Sequence, residues 1–194
     1  MSPELLQSFL LFFVLPLWIV GGIADAICRR RSDIAHTAGT KESLMHFAQL
    51  LEMGFAVLLA LFLRINALVI LIMFAMWVLH QVTTYWDLKY ASRTRGIGPT
   101  EQMVHSVLEM TPLFALAVIC IAHRDELLPL VASGRMPAFS FAWKDPPLPA
   151  STIAGVICAF AVLGAGPYLL EIAACLRVSR DSGKGGTAER RRAP

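Results

Sequence analysis

Charged side chains are scarce in this chain. Asp, Glu, Lys and Arg form 16% of its 194 residues, apolar residues form 56%, and the mean hydropathy is strongly positive. Soluble domains carry about 25% charged residues, so the composition excludes an ordinary soluble enzyme or binding module. It predicts a protein that lies in a lipid bilayer.

Cysteine is also scarce and forms no motif. The four cysteines, Cys28, Cys120, Cys158 and Cys175, lie in or beside apolar stretches without a Cys-x-x-Cys spacing. This pattern excludes a disulfide framework and a thiolate zinc site. We interpret the four residues as packing side chains.

Long apolar segments are what the chain has in excess. They approach the roughly 20 residues that a membrane-spanning helix needs, and they predict helices at about 5–27, 41–63, 66–89, 101–122 and 151–177. The expected fold class is an all-α integral membrane protein with five transmembrane helices in one domain over residues 1–178. Residues 179–194 are rich in Ser, Gly, Lys and Arg and predict a disordered basic tail in the cytoplasm. Glu4 before the first apolar run and Arg29–Arg31 after it favour a retained helix over a secretory signal.

The basic residues predict the orientation of these helices. With the N-terminus outside and the C-terminus in the cytoplasm, thirteen of the 17 Lys and Arg residues fall in cytoplasmic segments. The four left outside are Arg64, Arg124, Arg135 and Lys144. This distribution follows the positive-inside rule and predicts a multi-pass protein of the bacterial inner membrane. The net charge of +3 then requires no nucleic-acid partner.

One polar pattern occurs twice. Gly39 to His46 reads GTKESLMH and Gly98 to His105 reads GPTEQMVH, so each segment is Gly-x-x-Glu-x-x-x-His and opens a predicted helix. An aspartate closes the preceding helix in both halves. The shared order predicts two αα repeats that build helices one to four into a quasi-symmetric four-helix bundle. Chance similarity between two short motifs is the alternative.

The ionisable residues of the predicted helices form one layer near the cytoplasmic side. Glu and His four residues apart lie on one helix face, about 6 Å apart along the axis, and charged groups inside membrane helices are functional candidates. The predicted metal ligands are Glu42, His46, His80, Asp87, Glu101, His105 and Glu109. Asp25, Glu52 and the loop residue His36 are further candidates that are less well placed.

Imidazole and carboxylate groups together suit iron, zinc or manganese. The set resembles the soluble di-iron carboxylate bundles, which project Glu and Glu-x-x-His motifs inward from four helices, although the spacing here is one residue longer. Two half-sites therefore predict two iron ions, with zinc as the alternative. A metal-free polar or proton-conducting network is a further alternative. Simple structural pairing is another, because Glu42 and Glu101 begin helices, where negative charge is favourable.

Three segments carry a second resemblance. HQVTTYWDLKYASRTR, GPTEQMVHSVLEMTP and GTKESLMH cover the middle half of the chain and resemble small bacterial inner-membrane proteins with Asp, Glu-x-x-x-His and His-x6-Asp elements. This resemblance implies a location and no established activity. The His-x-x-His-His clusters of integral-membrane desaturases and hydroxylases are absent from the sequence, which counts against that family.

The leading functional hypothesis is an integral-membrane metalloenzyme of the di-iron oxidase, hydroxylase or desaturase type. Its substrate would be a membrane lipid or another hydrophobic small molecule near the cytoplasmic leaflet. A separate electron donor is expected, because no flavin or iron-sulfur signature occurs in the sequence. The alternatives are a zinc-dependent membrane hydrolase and a metal or proton transport protein that uses the same layer.

Overall fold

The protein folds into five long helices in a computed structural model that describes residues 3–131 and 139–190. The first comprises Pro3–Phe9, a π-helical segment Leu10–Val14 and Leu15–Arg31. The second is Gly39–Phe62, the third Ala67–Thr94 and the fourth Pro99–Ala122, followed by the short helix Arg124–Val131. The fifth comprises Ala150–Ala159, a π-helical segment Phe160–Ala165 and Gly166–Arg190. All five are long and apolar enough to cross a membrane, which confirms the predicted helix count.

The helices extend further at one end than their apolar runs indicated. The first continues to Arg31, the third to Thr94, and the fifth through residues 179–190, where the sequence predicted a disordered tail. Extending an existing helix gains a backbone hydrogen bond for each residue without a new nucleation step. A helix can therefore continue beyond the end of its apolar segment. Residues 191–194, the remainder of that predicted tail, lie outside the described residues.

Helices that are consecutive in the sequence are not always the ones that pack against each other. The second and third helices pack along each other after a tight turn, and the first packs against the fourth. The fourth also contacts the third, and the fifth lies against the second and the first. The outward faces carry many exposed apolar side chains, such as Phe12, Trp86 and Ile121. An apolar exterior of this kind is suited to lipid, because hydrocarbon solvates it without the cost of exposing it to water.

The turn between the second and third helices is covered by residues 139–149. The backbone N–H of Arg64 donates to the carbonyl of Ala142 at 2.9 Å, and that of Lys144 donates to Phe62 at 2.8 Å. The Lys144 ammonium donates to the carbonyl of Ala60 at 2.6 Å. These contacts satisfy carbonyls at the end of the second helix that have no intrahelical partner. Burial lowers the pKa of Lys144.

Candidate functional site

The polar side chains gather at the opposite end of the bundle from this cover. There the first and third helices end and the second and fourth begin, so both Asp and both Glu-x-x-x-His segments meet at one level. We call this group the polar layer. Its members are Asp25, Arg29, Glu42, His46, Asp87, Arg95, Glu101, His105 and Glu171.

Each histidine of the repeated motif faces the aspartate of the other helix pair. His46 Nε2 lies 2.9 Å from Asp87 Oδ2, and His105 Nε2 lies 3.0 Å from Asp25 Oδ1. The two imidazole rings have their centroids 6.4 Å apart. Each histidine therefore pairs with the aspartate of the other helix pair and not with the aspartate of its own.

These contacts create two overlapping groups of possible metal ligands. Ligand atoms of Asp25, His46 and His105 lie within 4.8 Å of one another, and so do those of Glu42, His46 and Asp87. Among the described residues, neither ring nitrogen of His46 has a hydrogen-bond partner of good geometry, and neither has Glu42 Oε2. Buried polar atoms are normally paired, so His46 Nδ1 and Glu42 Oε2 are available to a ligand.

Arg95 holds the two motif glutamates together. Its Nε and Nη2 donate to Glu42 Oε1 at 3.0 and 2.6 Å, and its Nη1 and Nη2 donate to the two oxygens of Glu101 at 3.0 and 2.5 Å. The Arg95 side chain is only 4% exposed. Burial alone would favour its neutral form, but the hydrogen bonds to Glu101 and Glu42 outweigh it and hold the pKa of Arg95 above its usual range. Glu101 is thereby a partner of arginine and lies outside both ligand groups.

A second arginine ties the fifth helix to the layer. Arg29 lies 2.8 Å from Asp25 and 3.1 Å from Glu171, and its guanidinium lies 4.1 Å from the centre of the Tyr168 ring. Ser43 donates to the same Glu171 carboxylate at 2.7 Å. The carboxylate of Asp25 is therefore held by Arg29 on one side and faces His105 on the other, which fixes its orientation.

The charges of the polar layer do not balance. Its carboxylates are Asp25, Glu42, Asp87, Glu101 and Glu171, and its guanidinium groups are Arg29 and Arg95. With all five carboxylates ionised and both histidines neutral, the formal charge of the layer is three negative. Burying uncompensated charge costs several kcal/mol per ion, so this layer favours a compensating positive charge.

A cavity of about 70 Å³ lies beside the two histidines. It is lined by both imidazoles and by His80, Glu109 and Trp18 on neighbouring turns and helices. Gln49 also borders it and donates to Asp87 at 3.4 Å. The volume is sufficient for several water molecules or for a small reacting group.

The structure brings only some of the predicted ligands together. Asp25, Glu42, His46, Asp87 and His105 converge. His80 lies instead 3.6 Å from Glu52, which accepts a hydrogen bond from Thr83 at 2.7 Å. Glu109 borders the cavity without joining either ligand group, and His36 is exposed beside Asp33 at 2.9 Å.

Sequence reasoning missed the residues that hold the ligands. Arg29 and Arg95 looked like ordinary basic residues of a cytoplasmic loop, and Glu171 and Tyr168 were assigned no role. Glu171 carried a usable signal, because it is an acidic residue inside the last apolar helix. The spacing of Arg29 four residues after Asp25 was a second signal.

No protein-family model, curated protein or solved structure matches the chain.

Proposed function

We propose that the protein is an integral-membrane metalloenzyme of the bacterial inner membrane that acts on a hydrophobic substrate. The observation that carries the proposal is the buried polar layer, where two imidazoles and three carboxylates converge within two overlapping ligand groups. The excess of negative charge in the layer supports a bound divalent cation. Positive-inside charge bias supports placing this layer at the cytoplasmic side, with the N-terminus outside.

The cross-pairing of histidine and aspartate supports an origin from two αα repeats. Asp25 faces His105 and Asp87 faces His46, so exchanging the two helix pairs reproduces the same contacts. The packing of the first helix on the fourth matches that of the third on the second. A quasi-symmetric four-helix bundle explains why the Gly-x-x-Glu-x-x-x-His motif occurs twice in the sequence.

Iron is the metal that we propose. Asp25, His46 and His105 form a set of two histidines and one carboxylate, which is the ligand set of non-haem iron oxygenases. Because His46 belongs to both groups, the geometry supports one complete three-ligand iron site. The second predicted iron would depend on Glu42 and Asp87 with a shared His46. Metal stoichiometry decides between one ion and two.

Bound iron would supply the activation of dioxygen for oxidation of an unreactive C–H bond. Hydroxylation would take one O2, two electrons and two protons, and would form one C–O bond and one water. The protein would hold the ligands through Arg29 and the fifth helix, and its apolar helices would exclude bulk water. The electrons would come from a separate donor protein. The exposed Arg93 is placed to meet that donor, whereas Arg95 is buried and engaged with two glutamates.

A zinc-dependent hydrolase is the second candidate. Two histidines and a carboxylate also hold catalytic zinc, with an open position for water. Glu109 borders the same cavity as His105 and is placed to act as general base. A transport role for the layer has less support, because the described residues that line the cavity in the outer half of the bundle are almost all apolar.

The test is the metal content of gently purified protein, before and after reconstitution with Fe(II) or Zn(II). Wild-type protein should hold iron, His46→Ala should lose it, and His105→Ala should bind it more weakly. His36→Ala is the matched control, because His36 is exposed and outside the layer. Wild type that binds neither metal under both conditions contradicts both enzyme proposals, and one zinc per chain supports the hydrolase.

A further inference from the structure

A second cavity lies deeper in the bundle, on the side of the polar layer that faces the outer cover. Its volume is about 150 Å³, and all five long helices contribute to its walls. We call it the outer cavity. Its principal lining residues are Val14, Met53, Met73, Trp77, Leu116 and Ile119.

The outer cavity is apolar. Its one hydroxyl, Thr111 Oγ1, already donates to the carbonyl of Val107 at 2.6 Å. Trp77 Nε1 is buried without a hydrogen-bond partner among the described residues. A cavity with so few polar groups does not hold ordered water, since water needs two to four polar partners, but it does accept apolar ligands.

The outer cavity adjoins the cavity of the polar layer. Trp18 lines both. On the second helix, Met53 of the outer cavity is seven residues from His46, a separation of roughly 10 Å along the axis. The two π-helical segments border these spaces, with Leu10–Val14 at the outer cavity and Phe160–Ala165 at the polar one. Such segments are frequent at functional sites.

We propose that the outer cavity binds a segment of a single unbranched acyl chain of a membrane lipid. This inference rests on the proposed function, because it takes the polar layer as the reacting site. A carbon in the middle of the chain, and not the headgroup, then reaches that layer past Trp18. An apolar cavity of about 150 Å³ accepts benzene, so this one has room for about six carbon atoms. That excludes a fused-ring lipid and fits a stretch of hydrocarbon chain, with the remainder in the bilayer.

Photocrosslinking tests this binding without requiring activity. The full-length protein is placed in nanodiscs with a phosphatidylethanolamine that carries a diazirine midway along one acyl chain, and labelled residues are mapped by mass spectrometry. Label should concentrate on Met73, Leu116 and Ile119, which line the outer cavity. Label confined to lipid-facing residues such as Phe74 and Ile121 overturns the proposal.

Ala115→Phe fills the cavity and should reduce its labelling by about tenfold, a change of about 1.4 kcal/mol in affinity. Ala117→Phe is the matched control, because Ala117 is exposed two residues further along the same helix. Equal cavity labelling in wild type and folded Ala115→Phe contradicts the proposal. If Ala115→Phe does not fold, the wild-type map alone decides.

Metal analysis of the same samples separates this inference from the proposed function. Metal-free protein with a labelled outer cavity overturns the enzyme proposal and leaves the acyl-chain site standing as a lipid-binding site. Metal-loaded protein with an unlabelled cavity overturns the acyl-chain site alone.

Discussion

The two copies of Gly-x-x-Glu-x-x-x-His share a sequence pattern and differ in their surroundings. The first copy lies beneath the fifth helix: Glu42 is fully buried, His46 is 3% exposed, and the Tyr168 ring lies 6.3 Å from that imidazole. In the second copy, the His105 side chain is 12% exposed. The fifth helix, which lies outside the repeat, therefore covers the half of the polar layer around His46 and leaves the half around His105 more exposed.

The largest expected difference between the copies is in metal binding. His46 belongs to both ligand groups and His105 to one. His46→Ala removes a ligand from both groups and should abolish metal binding. His105→Ala removes a ligand from one group and should weaken binding by at least about 100-fold, since losing a direct ligand costs no less than losing a supporting group. Metal titration of the purified variants measures both affinities. Equal loss in the two variants contradicts the asymmetry.

The contact of Arg95 with Glu42 and Glu101, which connects the two copies, should make the largest contribution to stability. Arg95→Ala leaves Glu42 and Glu101 buried without their cation, which should lower the free energy of unfolding by about 3–5 kcal/mol. Thermal unfolding in detergent measures the change. Arg93→Ala is the control: Arg93 is exposed two residues away, and its loss should change stability by less than about 0.5 kcal/mol. Similar losses in both variants contradict the role given to Arg95.

Attachment of the fifth helix should have a smaller effect. Glu171→Gln keeps an oxygen for Ser43 but removes the charge facing Arg29, which should cost about 1–3 kcal/mol. Hydrogen exchange of the fifth helix should rise with this loss. Asp181→Asn on the exposed part of the same helix is the matched control. Unchanged exchange in Glu171→Gln would show that the first copy is closed by apolar packing alone.

The smallest expected difference concerns the two motif glycines. Gly39 has φ +71°, whereas Gly98 has φ −77°, and an added Cβ would meet no atom within 4 Å at either position. Gly39→Ala should therefore cost about 1–2 kcal/mol from backbone strain alone, and Gly98→Ala should cost less. Paired thermal unfolding curves measure the difference. A larger loss for Gly98→Ala contradicts the assignment.

The comparison also shows why the site was only partly predictable. Helical spacing placed Glu42 and His46 on one face and brought both motifs to one end of the bundle, as the structure has them. The spacing did not predict which residues of other helices Glu42 and His46 contact, because contacts between helices depend on how the helices rotate and cross. His80 borders the cavity beside both motif histidines, yet its Nδ1 lies 3.6 Å from Glu52 and it belongs to neither ligand group.

By itself, the sequence determined the class of protein. Apolar runs near the length of a bilayer require helices, because a helix satisfies its backbone hydrogen bonds internally in a medium without water. The repeated motif determined which residue types gather at one end of these helices. Tertiary structure alone decided that each histidine faces the other pair's aspartate, that Arg95 joins the two glutamates, and that the fifth helix covers one copy. Such long-range contacts depend on helix rotation and packing, which no local pattern encodes.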